Sequence, residues 1–210
     1  MEDKTVVITG ATSGLGRATA LQLAQKGASV VIIARNNTKA NEVITEIKRE
    51  GGNGQVVISD LSSMKDTKEA ADSITKVVDR LDVLINNAGA HFPKYRETPE
   101  GFESTLALNY LSPFLLTHHL IEPMKQTASD YGEARVINIT SIMHKSPINW
   151  NDLNYKNTTY HSNTAYYQSK HLLTTFTYYL SRKLKETDIT VNFIHPGLVK
   201  TALIHSDWCI

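Results

Sequence analysis

The sequence predicts an α/β domain built on a doubly wound, mostly parallel sheet with helices on both faces. Three observations predict it. Short β-branched runs alternate with longer helical stretches, the runs are apolar almost throughout, and a glycine-rich turn follows the first run directly. Continuous apolar runs such as Val30-Val31-Ile32-Ile33-Ala34 fit strands covered on both sides. The 210 residues amount to about 1.4 typical domains, so a single unit over 1–210 is expected.

Six strands are expected, at 5–9, 29–34, 55–59, 83–86, 135–140 and 190–194, each a short run rich in Val, Ile and Thr. Helices are expected at 14–26, 39–50, 64–80, 101–126 and 165–186. Gly27 and Gly51 follow the first two helices, where a left-handed C-terminal cap needs glycine. The longest irregular stretch, 142–163, carries Trp150, Tyr155 and Tyr160. A loop of that length inside a compact domain reads as a functional lid, with a solvated excursion as the competing reading.

Composition excludes several classes. Hydrophobic residues at 41% and charged residues at 20% are those of a globular chain with a real core. Twenty-two basic against 21 acidic side chains leave a formal charge of +1, without the basic footprint of a nucleic-acid binder. The single cysteine, Cys209, forms no internal disulfide and belongs to no metal or redox motif, which fits a reducing compartment. The start resembles no signal peptide and no run approaches the length of a membrane span, so a soluble, unprocessed, cytoplasmic protein is expected. The eight histidines have no metal-ligand spacing, and no G-x-S-x-G elbow suggests a serine hydrolase.

The first strand runs into Thr9-Gly10-Ala11-Thr12-Ser13-Gly14-Leu15-Gly16 and then a helix. In that setting Gly10 lets the chain reverse, Gly14 lets backbone approach a ligand, and Gly16 lets the helix lie against the sheet. Backbone N–H groups over Thr12, Ser13, Gly14 and Leu15 then face a pyrophosphate at the positive end of the helix. The spacing is G-x-x-x-G-x-G, without the lysine of a triphosphate loop. At the end of the second strand, where an acidic residue would hold a free ribose 2′-hydroxyl, the chain has Arg35. A guanidinium favours a 2′-phosphate, and Arg17 offers a second cation, so NADP(H) is expected over NAD(H), with solvated arginines as the alternative.

This turn, together with Asn86-Asn87-Ala88-Gly89, Ser141 and Tyr166-x-x-x-Lys170, resembles the short-chain dehydrogenase/reductase family, from about Lys4 to Leu203. The strand end Ile33-Ala34-Arg35, the run from Asn109 to Thr117 and Asn151-Asp152-Leu153-Asn154 are similar to its retinol-dehydrogenase-like branch. The resemblance implies a Rossmann-type fold and a hydride exchanged between a nicotinamide and the carbonyl or alcohol carbon of a small or lipophilic substrate. It also implies that Tyr166 protonates the carbonyl oxygen and that Lys170 tunes Tyr166 and binds the nicotinamide ribose.

The residues support this chemistry on their own terms. Tyrosine and lysine four apart share a helix face, so a Lys170 ammonium is expected to lower the Tyr166 phenol, directly or through the cofactor, toward the range of a general acid or base. Tyr167, three residues before Lys170, is the nearest competitor. Ser141, directly after the fifth strand, is placed at the carboxyl end of the sheet to hold the substrate oxygen. Pro113 has no N–H for the carbonyl of Asn109, so that carbonyl is freed and the helix kinks.

The resemblance adds a water held by the Asn109 carbonyl and bridging to Lys170. It also implies that Asn87, Ala88 and Gly89 line the adenosine and ribose, that Asp60 with Leu61 meets the adenine, and that Pro196, Gly197, Val199 and Thr201 meet the nicotinamide. Family members continue past this proline-glycine turn into a lid and a further strand, whereas the chain ends 13 residues after Gly197. The sixth strand is therefore expected at an exposed sheet edge. The stripe Leu172, Leu173, Phe176, Tyr179, Leu180 and Leu184 reads first of all as core, and the resemblance implies a homodimer paired through the fourth and fifth helices. A catalytically idle NADP(H)-binding sensor or interaction protein is the alternative to the enzyme.

Overall fold

The computed structural model describes residues 1–142 and 147–197. The expected contacts at Val199 and Thr201, and Cys209, lie outside these residues. Six parallel strands form one sheet in the order β3-β2-β1-β4-β5-β6: β1 Thr5–Thr9, β2 Ser29–Ala34, β3 Asn53–Ile58, β4 Val83–Asn86, β5 Ala134–Ile139 and β6 Ile189–Ile194. Every pairing is parallel, with Val7 opposite both Val31 and Leu84. The doubly wound sheet expected from the sequence is the observed one. Among the described residues β6 ends the sheet, and Ile194 at its tip is exposed.

Side-chain alternation explains why the strands read as unbroken apolar runs. Val6, Ile8, Val30 and Ile32 face α1 (Gly14–Gln25) and α2 (Asn37–Arg49), packing with Ala20, Ala24, Val43 and Ile47. Val7, Val31, Leu84 and Val136 face the other layer, with Ile74 of α3 (Met64–Val77) and Leu116, Leu120 and Met124 of α5 (Ser112–Tyr131). Each fully buried aliphatic side chain contributes about 1.5–3 kcal/mol of transfer free energy. Both faces of the sheet are thus cores, as crossover helices require. The last helix among the described residues, α6 (Ser162–Lys183), packs on β5 and β6.

Local chemistry sets the ends. The side chain of Asn36 accepts from the N–H of Lys39 and that of Ser63 from Asp66, starting α2 and α3. Gly27, Gly51 and Gly132 have φ of +86°, +81° and +87°, the left-handed values that close α1, α2 and α5. The expected helix over 101–126 is a composite. It begins at the short α4 (Ser104–Leu106), widens into a π-helical segment, Ala107–Leu111, and continues as α5 to Tyr131. No helix among the described residues is long and apolar enough to cross a membrane.

Candidate active site

The strand order reverses between β1 and β4, so the chain leaves the two strands in opposite directions and opens a crevice at their carboxyl ends. The glycine turn forms one side of it. Gly10 has φ of +65°, and a Cβ there would come within 2.9 Å of the Ala88 Cα; Gly14 has φ of +52°. A Cβ on Gly16 would collide with the Asn87 amide and the Gly10 carbonyl. The turn is closed from behind. The Thr9 hydroxyl accepts from the N–H groups of Asn87 (2.9 Å) and Ala88 (2.8 Å), and Asn87 Nδ2 donates to the carbonyls of Thr9 (2.8 Å) and Gly10 (3.2 Å). The amide of Asn87 therefore shapes the turn, leaving its neighbours Ala88 and Gly89 as the small residues at the crevice.

A nicotinamide dinucleotide fits this cradle. Gly10, Gly14 and Gly16 bring backbone to the start of α1, a helix with no acidic residue in its first turn, and Ser13 at its N-cap makes no side-chain capping bond. Thr12 and Leu15 are half-buried beside it. At the adenosine end the expected residues divide. Arg35 is exposed just beyond β2, whereas Arg17 is ion-paired with Glu46 of α2. Asp60 accepts from the N–H (2.9 Å) and hydroxyl (2.7 Å) of Ser62, and the Leu61 side chain is buried in the core, which leaves backbone for a ligand. Pro196 and Gly197, with φ of +81° at Gly197, follow β6 at the same end of the sheet.

Opposite the turn, α6 brings Tyr166 and Lys170 to the end of β5. Lys170 is only 3% exposed; its ammonium donates to the Ile139 carbonyl at 2.9 Å and lies 5.8 Å from the centre of the Tyr166 ring. Burial pushes its pKa down to about 8. Burial raises the Tyr166 phenol, opposed by the Ser141 hydroxyl bonded to it, while Tyr167 reinforces the rise. Lys170 is not among the groups that set the Tyr166 phenol here, which corrects the direct route of the expected lowering and not the route through the cofactor. In the protein's own atoms desolvation dominates, and the ammonium is directed at a carbonyl instead of the phenol oxygen. The three expected residues Ser141, Tyr166 and Lys170 are brought together, and Ser141 bonds Tyr166.

Asn109 sits in the π-helical segment, where the N–H of Ser112 reaches back five residues to the Ala107 carbonyl. The wider turn accommodates Pro113, the residue with no N–H to offer. Fully buried, the Asn109 amide accepts from the Ala90 N–H (2.9 Å) and donates to the Ala90 carbonyl (2.9 Å) and Ser169 Oγ (3.0 Å). Its side chain is thus a clamp on the segment after β4, a role the sequence did not indicate. Gly89 completes the packing: a Cβ there would lie 3.2 Å from Asn109 Oδ1 and 3.3 Å from Lys170 Nζ.

The sequence reading gave no role to several other polar groups of the site. Asn86 donates to Asn138 Oδ1 at 2.8 Å and Thr117 Oγ1 at 3.1 Å, and Asn138 donates to Thr177 Oγ1 at 2.8 Å, joining β4, β5, α5 and α6 beneath the crevice. The described part of the long loop is strongly held. Gln168 accepts from the N–H of Asn149 (2.9 Å), and Asn154 Oδ1 accepts from the N–H of Glu103 (3.0 Å). Burial opposes the charge of Asp152, but the N–H groups of Asn157 and Lys156 and the Thr158 hydroxyl outweigh it and keep its pKa below the ordinary value. Among the described residues no cluster of His, Cys, Asp and Glu could hold a metal ion.

A family model for the short chain dehydrogenases matches residues 4–208. The chain belongs to the short-chain dehydrogenase family. Human retinol dehydrogenase 13 is 38% identical over 203 residues, which cover 95% of this chain and 60% of that protein. Such relatives place the chain in the retinol-dehydrogenase-like branch. It spans about 60–65% of the length of the curated relatives it matches. Among solved structures, the Pseudomonas aeruginosa RhlG/NADP active-site complex superposes with a TM-score of 0.81 at 28% identity, covering 98% of this chain and 76% of that one. The 3-ketoacyl-(acyl-carrier-protein) reductase of Brucella melitensis, complexed with NADH, gives 0.77 at 26% identity, covering 97% and 79%.

Proposed function

We propose that the protein is an NADP(H)-dependent oxidoreductase acting on the carbonyl/alcohol couple of a small or lipophilic molecule. The observation that carries this reading is the Ser141–Tyr166 hydrogen bond beside the buried Lys170, at the mouth of the crevice behind the glycine turn. When bound, the nicotinamide supplies or accepts the hydride. The residues do the rest. Ser141 holds the substrate oxygen, and Tyr166 gives its phenolic proton to that oxygen during reduction and takes it back during oxidation. The raised pKa keeps the phenol protonated at neutral pH, as an acid must be before it acts. Lys170 is assigned the nicotinamide ribose, where a buried ammonium finds hydroxyl acceptors, and the Asn109 carbonyl is assigned a water that connects to it.

Arg35 supports the choice of NADP(H), because a guanidinium at the end of β2 suits a 2′-phosphate. Arg17 would join it on leaving Glu46. Asp60 and Leu61 are assigned to the adenine, and Pro196, Gly197, Val199 and Thr201 to the nicotinamide. The retinol dehydrogenase relatives support a lipophilic alcohol or aldehyde, and the lone Cys209 supports a reducing compartment. A homodimer is proposed through α6. There Leu172, Leu173, Phe176 and Leu184 of the expected stripe are core, and Tyr179 is left exposed.

The test is NADPH oxidation with a panel of aldehydes and ketones that includes retinal. Turnover by the natural sequence and its loss in Tyr166→Phe are expected. Tight NADPH binding with no turnover on any member would overturn the enzyme in favour of a cofactor-binding sensor.

A further inference from the structure

The helix that carries Tyr166 has a weak beginning. His161 occupies the N-cap of α6 without a side-chain bond to the first turn, although Tyr166 stands only one turn further on. An N-cap that bonds the first turn stabilises a helix start, and here that stabilisation is missing. A residue that must present its phenol to a substrate oxygen therefore sits close to an end that would otherwise fray.

The first turn is held from outside. His91, just beyond the clamped Ala90, donates from Nε2 to Oδ1 of Asn163, the second residue of α6, at 3.0 Å. The same imidazole lies edge-on to the Tyr166 ring, with centroids 5.7 Å apart and planes inclined by 74°. Its backbone anchor is rigid, because Asn109 engages both the N–H and the carbonyl of Ala90. One side chain thus touches both the weak helix start and the ring whose orientation matters. Seventy-two residues separate His91 from Asn163, so the contact joins the segment after β4 to the head of α6.

We infer that His91 is a positioning residue for Tyr166: held by Asn163, it braces the uncapped start of α6 and fixes the phenol for proton transfer. The inference rests on the proposed role of Tyr166 as the proton donor. His91 itself transfers no proton in this scheme.

The test is a double-mutant cycle of His91→Phe and Asn163→Ala, read as kcat and KM separately with NADPH and an aldehyde turned over by the natural sequence. Each single variant is expected to lower kcat about five- to tenfold, the effect of one net hydrogen bond, with KM for NADPH within about twofold. The double variant should be no worse than the poorer single, because each substitution removes the same bond. His91→Gln, which keeps an N–H donor, should recover part of the loss. Additive losses, or single variants as fast as the natural sequence, would overturn the inference. A second readout does not depend on turnover: the imidazole 15N resonances of His91 should move in Asn163→Ala. If no aldehyde is turned over but those resonances move, the brace stands and the assigned activity falls. If they do not move, the brace itself is refuted.

Discussion

Asn109 holds both backbone polar groups of Ala90, accepting from its N–H and donating to its carbonyl at 2.9 Å each. A buried amide thereby stands in for a strand neighbour and gives the segment after β4 one fixed path past Lys170. Asn109→Ala leaves two buried backbone groups without partners. Unfolding in urea should show a loss of about 2–4 kcal/mol, since each stranded group costs about 1–3 kcal/mol. A loss below about 1 kcal/mol would mean that water replaces the amide freely.

Gly89 offers a subtler perturbation. An added Cβ meets Asn109 Oδ1 at 3.2 Å and Lys170 Nζ at 3.3 Å, closer than ordinary van der Waals contact, so one of the two must move. Gly89→Ala is expected to reduce turnover about tenfold while costing about 1 kcal/mol or less in stability, the low end of small overpacking effects. Unchanged turnover would show that neither neighbour is held tightly.

Lys170 should impose a stability dependence at alkaline pH. Its folded pKa of about 8 lies below the unfolded value near 10.4, so between those limits the unfolded chain binds more protons and stability rises with pH. Lys170→Met removes the titration. The stability of the natural sequence relative to the variant should therefore climb by about 3 kcal/mol from pH 7 to pH 10.5. Turnover in the variant should be lost. Paired urea titrations at the two pH values read the difference, and parallel behaviour of the two proteins would contradict the cost of burying the ammonium.

Arg17 and Glu46 give a handle on coenzyme choice. The ion pair is partly exposed, and such pairs contribute at most about 1 kcal/mol. Glu46→Gln releases Arg17 and should tighten NADPH up to about fivefold without changing NADH. Arg35→Asp should move the preference toward NADH, as measured by the two dissociation constants. No change in either variant would separate both arginines from the 2′-phosphate.

Much of this was legible in the sequence because it is local. Apolar runs identified all six strands, Gly27 and Gly51 marked two helix ends, and the spacing of Tyr166 and Lys170 put them on one face. Pro113 signalled trouble in its helix, though not that the trouble is met by an extra residue in the turn before it. The rest depends on pairs far apart in the chain. Asn86 with Asn138 and His91 with Asn163 leave no periodic trace, because each is ordinary until the sheet brings the partners together. The direct effect of Lys170 on the Tyr166 phenol was illegible for a related reason. Helical spacing shows that Lys170 is near, whereas its desolvation and its bond to Ile139 depend on the whole interior.

The π-helical segment also works as a phase shifter. By inserting one residue into a turn, it rotates everything before it relative to everything after it, so that Asn109 meets Ala90 and Ser169 while Leu116 and Leu120 still face the sheet. Shortening the chain by one residue between 107 and 111 would restore regular winding, but the two halves could then no longer satisfy the interior and the crevice together. Chain length at this point is as much a determinant of the site as the identity of any side chain in it.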